Sequence, residues 1–277
     1  MLTGNNIHYD VDGRYNGISC GGIGVIHQMV QKMGLPEEIN SKLELLKRHL
    51  PYHESDHILN IVYNILAGGT CLEDIELRRN DAAYLHALGS EIMPDPTTAG
   101  DYLRRFKLDD IILLMDIINE IRRHVWLRQS LIFREQAIMN IDGTIGPTTG
   151  ECKQGMDISY NGYWSYHPLV LSLASTREPL FIVNRPGNVP SHSDSATWID
   201  KGLDLLSGVF KKVLVRGDTD FSLTVNFDLW LIFYSCAGFF FERCPKYGLF
   251  VLKIAKNSKN VVPRYKKNSL DNSNTMM

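Results

Sequence analysis

Two short apolar runs that each stop at an aspartate constrain this chain more than any other feature. Ala137-Ile138-Met139-Asn140-Ile141 leads into Asp142-Gly143-Thr144, and Val213-Leu214-Val215 leads through Arg216-Gly217 into Asp218-Thr219-Asp220. Short β-branched runs stopped by Gly and Asp read as buried strands with a turn at the exit. If the two strands are neighbours in one sheet, both carboxylates emerge at one place. Two close carboxylates raise each other's pKa unless a cation sits between them. A divalent metal is the usual resolution, and an all-oxygen site suits Mg²⁺ or Mn²⁺. The expectation is a carboxylate-held metal site acting on phosphate esters, with Asp142 and Asp218 as ligands. The competing reading makes each aspartate a turn residue, since Asp-Gly and Gly-Asp are common turn pairs. Asp220 is the alternative to Asp218, because two residues further along an extended chain points to the same face. Asp218 is preferred because it follows the strand, where the backbone is best held.

The surrounding pattern predicts how these strands are carried. Residues 21 to about 130 read as several helices. These are one opened by Gly21-Gly22, one over Glu37 to Leu50, and one from Ser55 with Ile58, Ile61, Val62, Ile65 and Leu66 as its apolar stripe. A short one lies near Leu72-Ile75, one begins near Thr97 or Thr98 after Pro94-Asp95-Pro96, and a long one runs from Asp109 or Asp110 to about Leu127. The pattern then changes to strands at 136–142, 167–174 and 180–183, a helix over Ser195 to Val209, a strand at 213–215, a short helix from Leu223 to Leu229, and a strand over Leu231 to Phe241. The order β-β-β-α-β-α-β is a mixed α/β pattern. It suits a sheet with three antiparallel strands first and parallel crossovers after. The division expected is a helical region over 1–130, a partial catalytic core over 131–242, and a basic tail over 243–277. That tail has eight basic residues and one acid, Asp271, and is expected to be disordered.

Charge and cysteine usage exclude little but point one way. A net charge of −2 carries no global signal for nucleic acid, so any DNA surface must be local. Five scattered cysteines without CxxC spacing argue against a zinc site or a disulfide framework and fit a reducing cytosol. There is no signal-peptide pattern, and the most apolar stretch, Leu229 to Phe241, is too short to span a bilayer. P-loop and GxSxG motifs do not occur, which removes Walker-site hydrolysis and serine-hydrolase chemistry. Local cations that suit phosphate are Arg185 in Asn184-Arg185-Pro186-Gly187-Asn188, the helical pair Arg104-Arg105, and Lys153. Lys153 precedes an aromatic group of Tyr160, Tyr163, Trp164, Tyr166 and His167, which suits base stacking. Each also has a plainer reading, as loop geometry, a solvated helix face or hairpin side chains.

Six stretches in one order carry a family resemblance: Met93 to Asp101, Asn140 to Thr144, Gly155-Met156-Asp157, Tyr166-His167-Pro168-Leu169, Val183 to Asn188, and Leu214 to Ser222. Together, over about Gly22 to Trp230, they resemble insertion-sequence transposases of the DDE type from bacteria, most closely the group called transposase DDE domain group 1. The resemblance implies a ribonuclease-H-like core behind a helical region that helps bind terminal inverted repeats. Asp142 and Asp218 match the family's first and second catalytic aspartates and would hold two Mg²⁺ ions for DNA phosphodiester cleavage and strand transfer. Arg216, within the second aspartate's motif, is a further candidate for contacting DNA. The resemblance further implies double-stranded DNA as partner, work as a homodimer, and a cytoplasmic, nucleoid-associated location. The family's third acid, a glutamate, has no counterpart within this sequence. The chain is therefore expected to be a truncated transposase with impaired activity. The alternatives are a non-catalytic fragment that binds element ends and a metal-dependent hydrolase of small phosphate esters.

Overall fold

The computed structural model describes residues 17–49, 51–149, 153–221, 239–244 and 249–255. The chain divides into two compact units, at Gln129 and Ser130. Among the described residues, no helix is long and apolar enough to cross a membrane.

The first unit is helical: α1 (Ile23–Lys32), α2 (Leu35–Lys42), α3 (Glu54–Leu66), α4 (Ile75–Arg79) behind a 3₁₀ turn, α5 (Ala82–Ala87), α6 (Pro96–Leu103) and α7 (Leu108–Leu127). Local chemistry sets several boundaries. Gly34 takes φ 72° between α1 and α2, a conformation that costs glycine little. Asp95 caps α6 by accepting from the Thr98 amide at 2.9 Å, with Pro96 in the first turn. Asp81 caps α5 the same way through the Ala83 and Tyr84 amides, a helix the sequence pattern passes over.

Two expectations about this unit need correction. The second helix stops at Lys42 rather than Leu50, and the chain turns extended at Leu43. The reason is tertiary. The carboxylate of Glu54, fully buried, accepts from the Leu46 amide at 3.1 Å and meets His49 Nδ1 at 3.2 Å, which draws the connector around the head of α3. The second correction concerns α3, whose expected apolar stripe lies largely outside. Leu59, Asn60, Tyr63 and Asn64 are buried, whereas Val62, Ile65 and Leu66 are exposed. Asn60 and Asn64 donate to the carbonyls of Pro94 and Cys71, both at 2.9 Å. The buried face is thus chosen by loop carbonyls that need donors. Leu59 and Tyr63 join Ile23, Val30, Tyr84 and Met93 in one core, and Ile39, Leu43 and Ile117 form a second.

The second unit is built on a six-stranded mixed sheet. Its strands are β1 (Gln136–Gly143), β5 (Leu169–Leu173), β6 (Glu178–Val183), β7 (Lys212–Gly217), β8 (Phe239–Cys244) and β9 (Leu249–Ala255), ordered β6-β5-β1-β7-β9-β8. A small sheet holds β2 (Gly146–Pro147), β3 (Asp157–Ile158) and β4 (Trp164–Tyr166), and α8 spans Ser195–Leu206. β1, β5 and β6 are antiparallel neighbours, and β7 lies parallel to β1 after the α8 crossover. That much follows the expected order.

The second parallel crossover is absent among the described residues, because β9 runs antiparallel to β7 and pairs with β8 in the same sense. The basic stretch after Arg243, expected to lack structure, contributes β9. The helix expected at 223–229, and most of the strand expected at 231–241, lie outside the described residues.

Alternation decides which side of the sheet is core. Ala137, Met139 and Ile141 of β1, Leu169, Leu171 and Leu173 of β5, and Val213 and Val215 of β7 are buried. They share one face with α8, where a Cβ on Gly202 would lie 2.4 Å from Met139 Sδ. The intervening residues, Asn140, Asp142, Arg216 and their neighbours, take the opposite face.

Candidate active site at the ends of two parallel strands

Register brings the two aspartates together. Asn140 stands opposite Arg216 in the parallel β1–β7 pair. Two residues beyond this pair come Asp142, still within β1, and Asp218, the first residue past β7. Both are exposed. Their proximity is felt electrostatically. The Asp218 carboxyl is pushed above its ordinary pKa, first by partial desolvation and then by the neighbouring charges of Asp220 and Asp142, against the pull of backbone donors.

The glycines beside the aspartates serve close approach. Gly143 and Gly217 lie within β1 and β7, and neither takes positive φ. A Cβ on Gly143 would lie 2.6 Å from His167 Nε2, and one on Gly217 would lie 2.8 Å from Ile141 Cγ2. Asp-Gly and Gly-Asp are therefore tight strand contacts here rather than turn pairs. His167 is buried, and its Nδ1 pairs with the Val189 carbonyl at 2.7 Å. With Nδ1 as the donor, Nε2 faces Gly143. This histidine consequently props the end of β1 beside Asp142, a role its sequence position does not reveal.

Asp220 does not continue the strand. It lies in a 3₁₀ turn over Thr219–Phe221, and its amide donates to Asp218 Oδ1 at 3.0 Å. The same-face rule for extended chain does not reach it. Asp142, Asp218 and Asp220 do not make a closed three-ligand cage. Among the described residues, the set of three metal-type side chains with donor atoms all within 4.8 Å of one another is His49, His53 and Glu54, in the helical unit. A two-carboxylate edge still suits Mg²⁺, which keeps several waters and takes one or two protein carboxylates.

The expected phosphate-binding cations separate by environment. Arg216 is exposed on the aspartates' face, oriented by Nε donating to Asn140 Oδ1 at 2.8 Å. Lys153 is exposed near the small sheet and contacts Thr148 Oγ1. Tyr160, Tyr163 and Trp164 are exposed on that sheet and its turn.

Arg185 is corrected. It is only 6% exposed, and its guanidinium donates to the carbonyls of His167, Ser191 and Ser193 at 3.0, 3.1 and 2.9 Å. Burial and these bonds make it the internal tie of its loop, with no open face for a phosphate. In the helical unit, Arg104 is exposed and paired with Asp101. Arg105 reaches the Leu45 carbonyl at 3.3 Å and lines a cleft of about 300 Å³ with Arg48, Tyr52, His57 and Tyr102.

Sequence comparison adds one match. The family model described as transposase DDE domain group 1 covers residues 1–229. No curated protein and no solved structure matches the chain.

Proposed function

The chain belongs to the transposase DDE domain group 1 family, and on that premise we propose that it cuts and joins DNA at the ends of an insertion sequence. The family implies DNA as substrate and a divalent metal as cofactor. The observation that supports the reading is the parallel pairing of β1 and β7, the two strands that lead into Asp142 and Asp218. The sheet is read as ribonuclease-H-like.

These carboxylates would hold Mg²⁺ or Mn²⁺, with Asp220 within reach after a change of its turn. Held there, the metal would supply Lewis-acid activation of an attacking water or 3′-hydroxyl and charge stabilisation at the leaving oxygen. The chain's own groups position the DNA. Arg216 stands one step behind the aspartates to meet a backbone phosphate, and Lys153 with Tyr160, Tyr163 and Trp164 offers charge and stacking faces. Arg104 and Arg105 of the helical unit are assigned to the terminal inverted repeats, and two copies are expected to act on paired ends. The described residues bring no glutamate to the aspartates, so metal is held more weakly than by three acids and turnover is expected to be impaired.

The test is cleavage of a duplex carrying the element's ends, with and without Mg²⁺. Removing either ligand forfeits several kcal/mol of transition-state stabilisation, so Asp142→Ala or Asp218→Ala should lower any cleavage by about a thousandfold. Metal-dependent cleavage that survives Asp142→Ala would overturn the assignment.

A second reading, a DNA-binding fragment without chemistry, is favoured by the Arg48–Arg105 cleft of the helical unit. It expects no cleavage but binding that weakens steeply with salt.

A further inference from the structure

We propose that His49, His53 and Glu54 form a second metal site that takes a transition-metal dication of the Zn²⁺ class rather than Mg²⁺. Their donor atoms all lie within 4.8 Å of one another. Two ligands of a tetrahedral Zn²⁺ at about 2.05 Å from the ion stand about 3.3 Å apart. His49 Nδ1 and Glu54 Oε2 already stand at 3.2 Å. The His53 ring is stacked on that of His49, with centroids 5.5 Å apart and planes at 16°. A nitrogen of this exposed ring lies within 4.8 Å of the other two donor atoms. Two imidazoles and one carboxylate make a borderline donor set that suits Zn²⁺ and leaves a fourth position for water.

The carboxylate is prepared for that task. Glu54 is fully buried, where an ionised carboxylate is costly unless it is paired and hydrogen-bonded. The Leu46 amide holds Oε1 at 3.1 Å, which fixes the carboxylate plane and leaves Oε2 turned to the histidines. Glu54 opens α3, while His49 and His53 come from the connector that follows α2. A bound ion would fasten that connector to the helix. The same connector carries Arg48 and Tyr52, two walls of the cleft that Arg105 completes, so the ion would also set the shape of that cleft. Cysteine spacing gives no warning of such a site, because no cysteine takes part.

This inference does not rest on the transposase reading, and its test keeps the two apart. The full chain carrying Asp142→Ala and Asp218→Ala, which silences the strand-end pair, is titrated with Zn²⁺ by calorimetry and examined by X-ray absorption. The expected result is one equivalent bound through nitrogen and oxygen alone and not displaced by excess Mg²⁺. Adding His49→Ala or His53→Ala should weaken binding at least about a hundredfold, since losing even an outer-shell partner costs 10–100-fold. Both histidines are exposed, so these variants should keep the far-UV circular dichroism of the parent. Absence of saturable binding, a sulfur-containing shell, or affinity unchanged by both histidine substitutions would overturn the proposal. The absorption measurement on the histidine-intact chain decides the matter if a histidine variant fails to fold.

Discussion

On β1, Ala137, Met139 and Ile141 turn inward while Asn140 and Asp142 turn outward. On α3, Asn60 and Asn64 are buried while Val62, Ile65 and Leu66 stand in solvent. β1 turns its polar side chains away from the core, and α3 uses two of its own as internal ties. The difference follows from how each element is held. A strand's facing is fixed by the ladder, since a slip of one residue reverses every side chain. A helix is closed by its own hydrogen bonds and can be turned about its axis by whatever its neighbours require. In α3 the deciding neighbours are the carbonyls of Pro94 and Cys71, which accept from Asn60 and Asn64.

The sharpest way to break this contrast is on α3 itself. Tyr63 is buried, with its hydroxyl 3.0 Å from His27 Nδ1 and its pKa pushed up to about 12 by burial. Tyr63→Ala should cost about 3–5 kcal/mol, as for large aromatic core deletions. Ile65→Ser should stay within about 0.5 kcal/mol, as for exposed positions. Urea unfolding followed by circular dichroism measures both, and an Ile65 cost matching that of Tyr63 would show the buried face to be the apolar one.

A second comparison uses glycine in each unit. A Cβ on Gly187 would meet the backbone oxygens of Asp157 and Ser165 at 2.5 and 2.7 Å, whereas one on Gly100, inside α6, meets only side-chain atoms at 3.7 Å or more. Gly187→Ala should therefore destabilise by about 1–3 kcal/mol. Gly100→Ala should stabilise by about 0.4–1 kcal/mol through the unfolded chain. Thermal unfolding of the two variants would show opposite signs.

The smallest effect is electrostatic. Desolvation, Asp220 and Asp142 raise the Asp218 pKa, so the folded protein holds this proton more tightly than the unfolded chain does. Its contribution to stability is present below the unfolded pKa, about 3.9, and is lost as pH rises through the raised folded value. Above that value the ionised pair repels, and a bound Mg²⁺ would relieve the repulsion. Mg²⁺ affinity should fall as pH is lowered through the raised Asp218 value, by up to about tenfold per pH unit for one displaced proton. Asp142→Asn should move that transition to lower pH. A Mg²⁺ titration at several pH values reads both, and a midpoint unmoved by Asp142→Asn would separate the two carboxylates.

Much of the site was legible because it rests on short-range rules. The period of two in residues 137–141 and 213–215 named the strands, and the acids that follow them are the ligands proposed above. The start of a helix close after Pro94-Asp95 and the start of α7 were readable to within a residue or two for the same reason. Arg185 was misjudged because an arginine in a polar loop looks alike whether it faces water or the carbonyls of His167, Ser191 and Ser193. His49, His53 and Glu54 went unnoticed because a buried carboxylate at a helix start is invisible until the connector is seen folded over it.

The amino-acid order alone determined strands β1, β5, β6 and β7, where several of the helices begin to within a residue or two, and which two acids follow the central strands, because these depend on neighbours a few residues away. Only the tertiary structure decided that β1 and β7 are adjacent and parallel, that β9 rather than a further parallel strand lies beside β7, and which side of α3 is buried. Those outcomes depend on backbone groups distant in sequence finding partners, and no local pattern records who the partner will be.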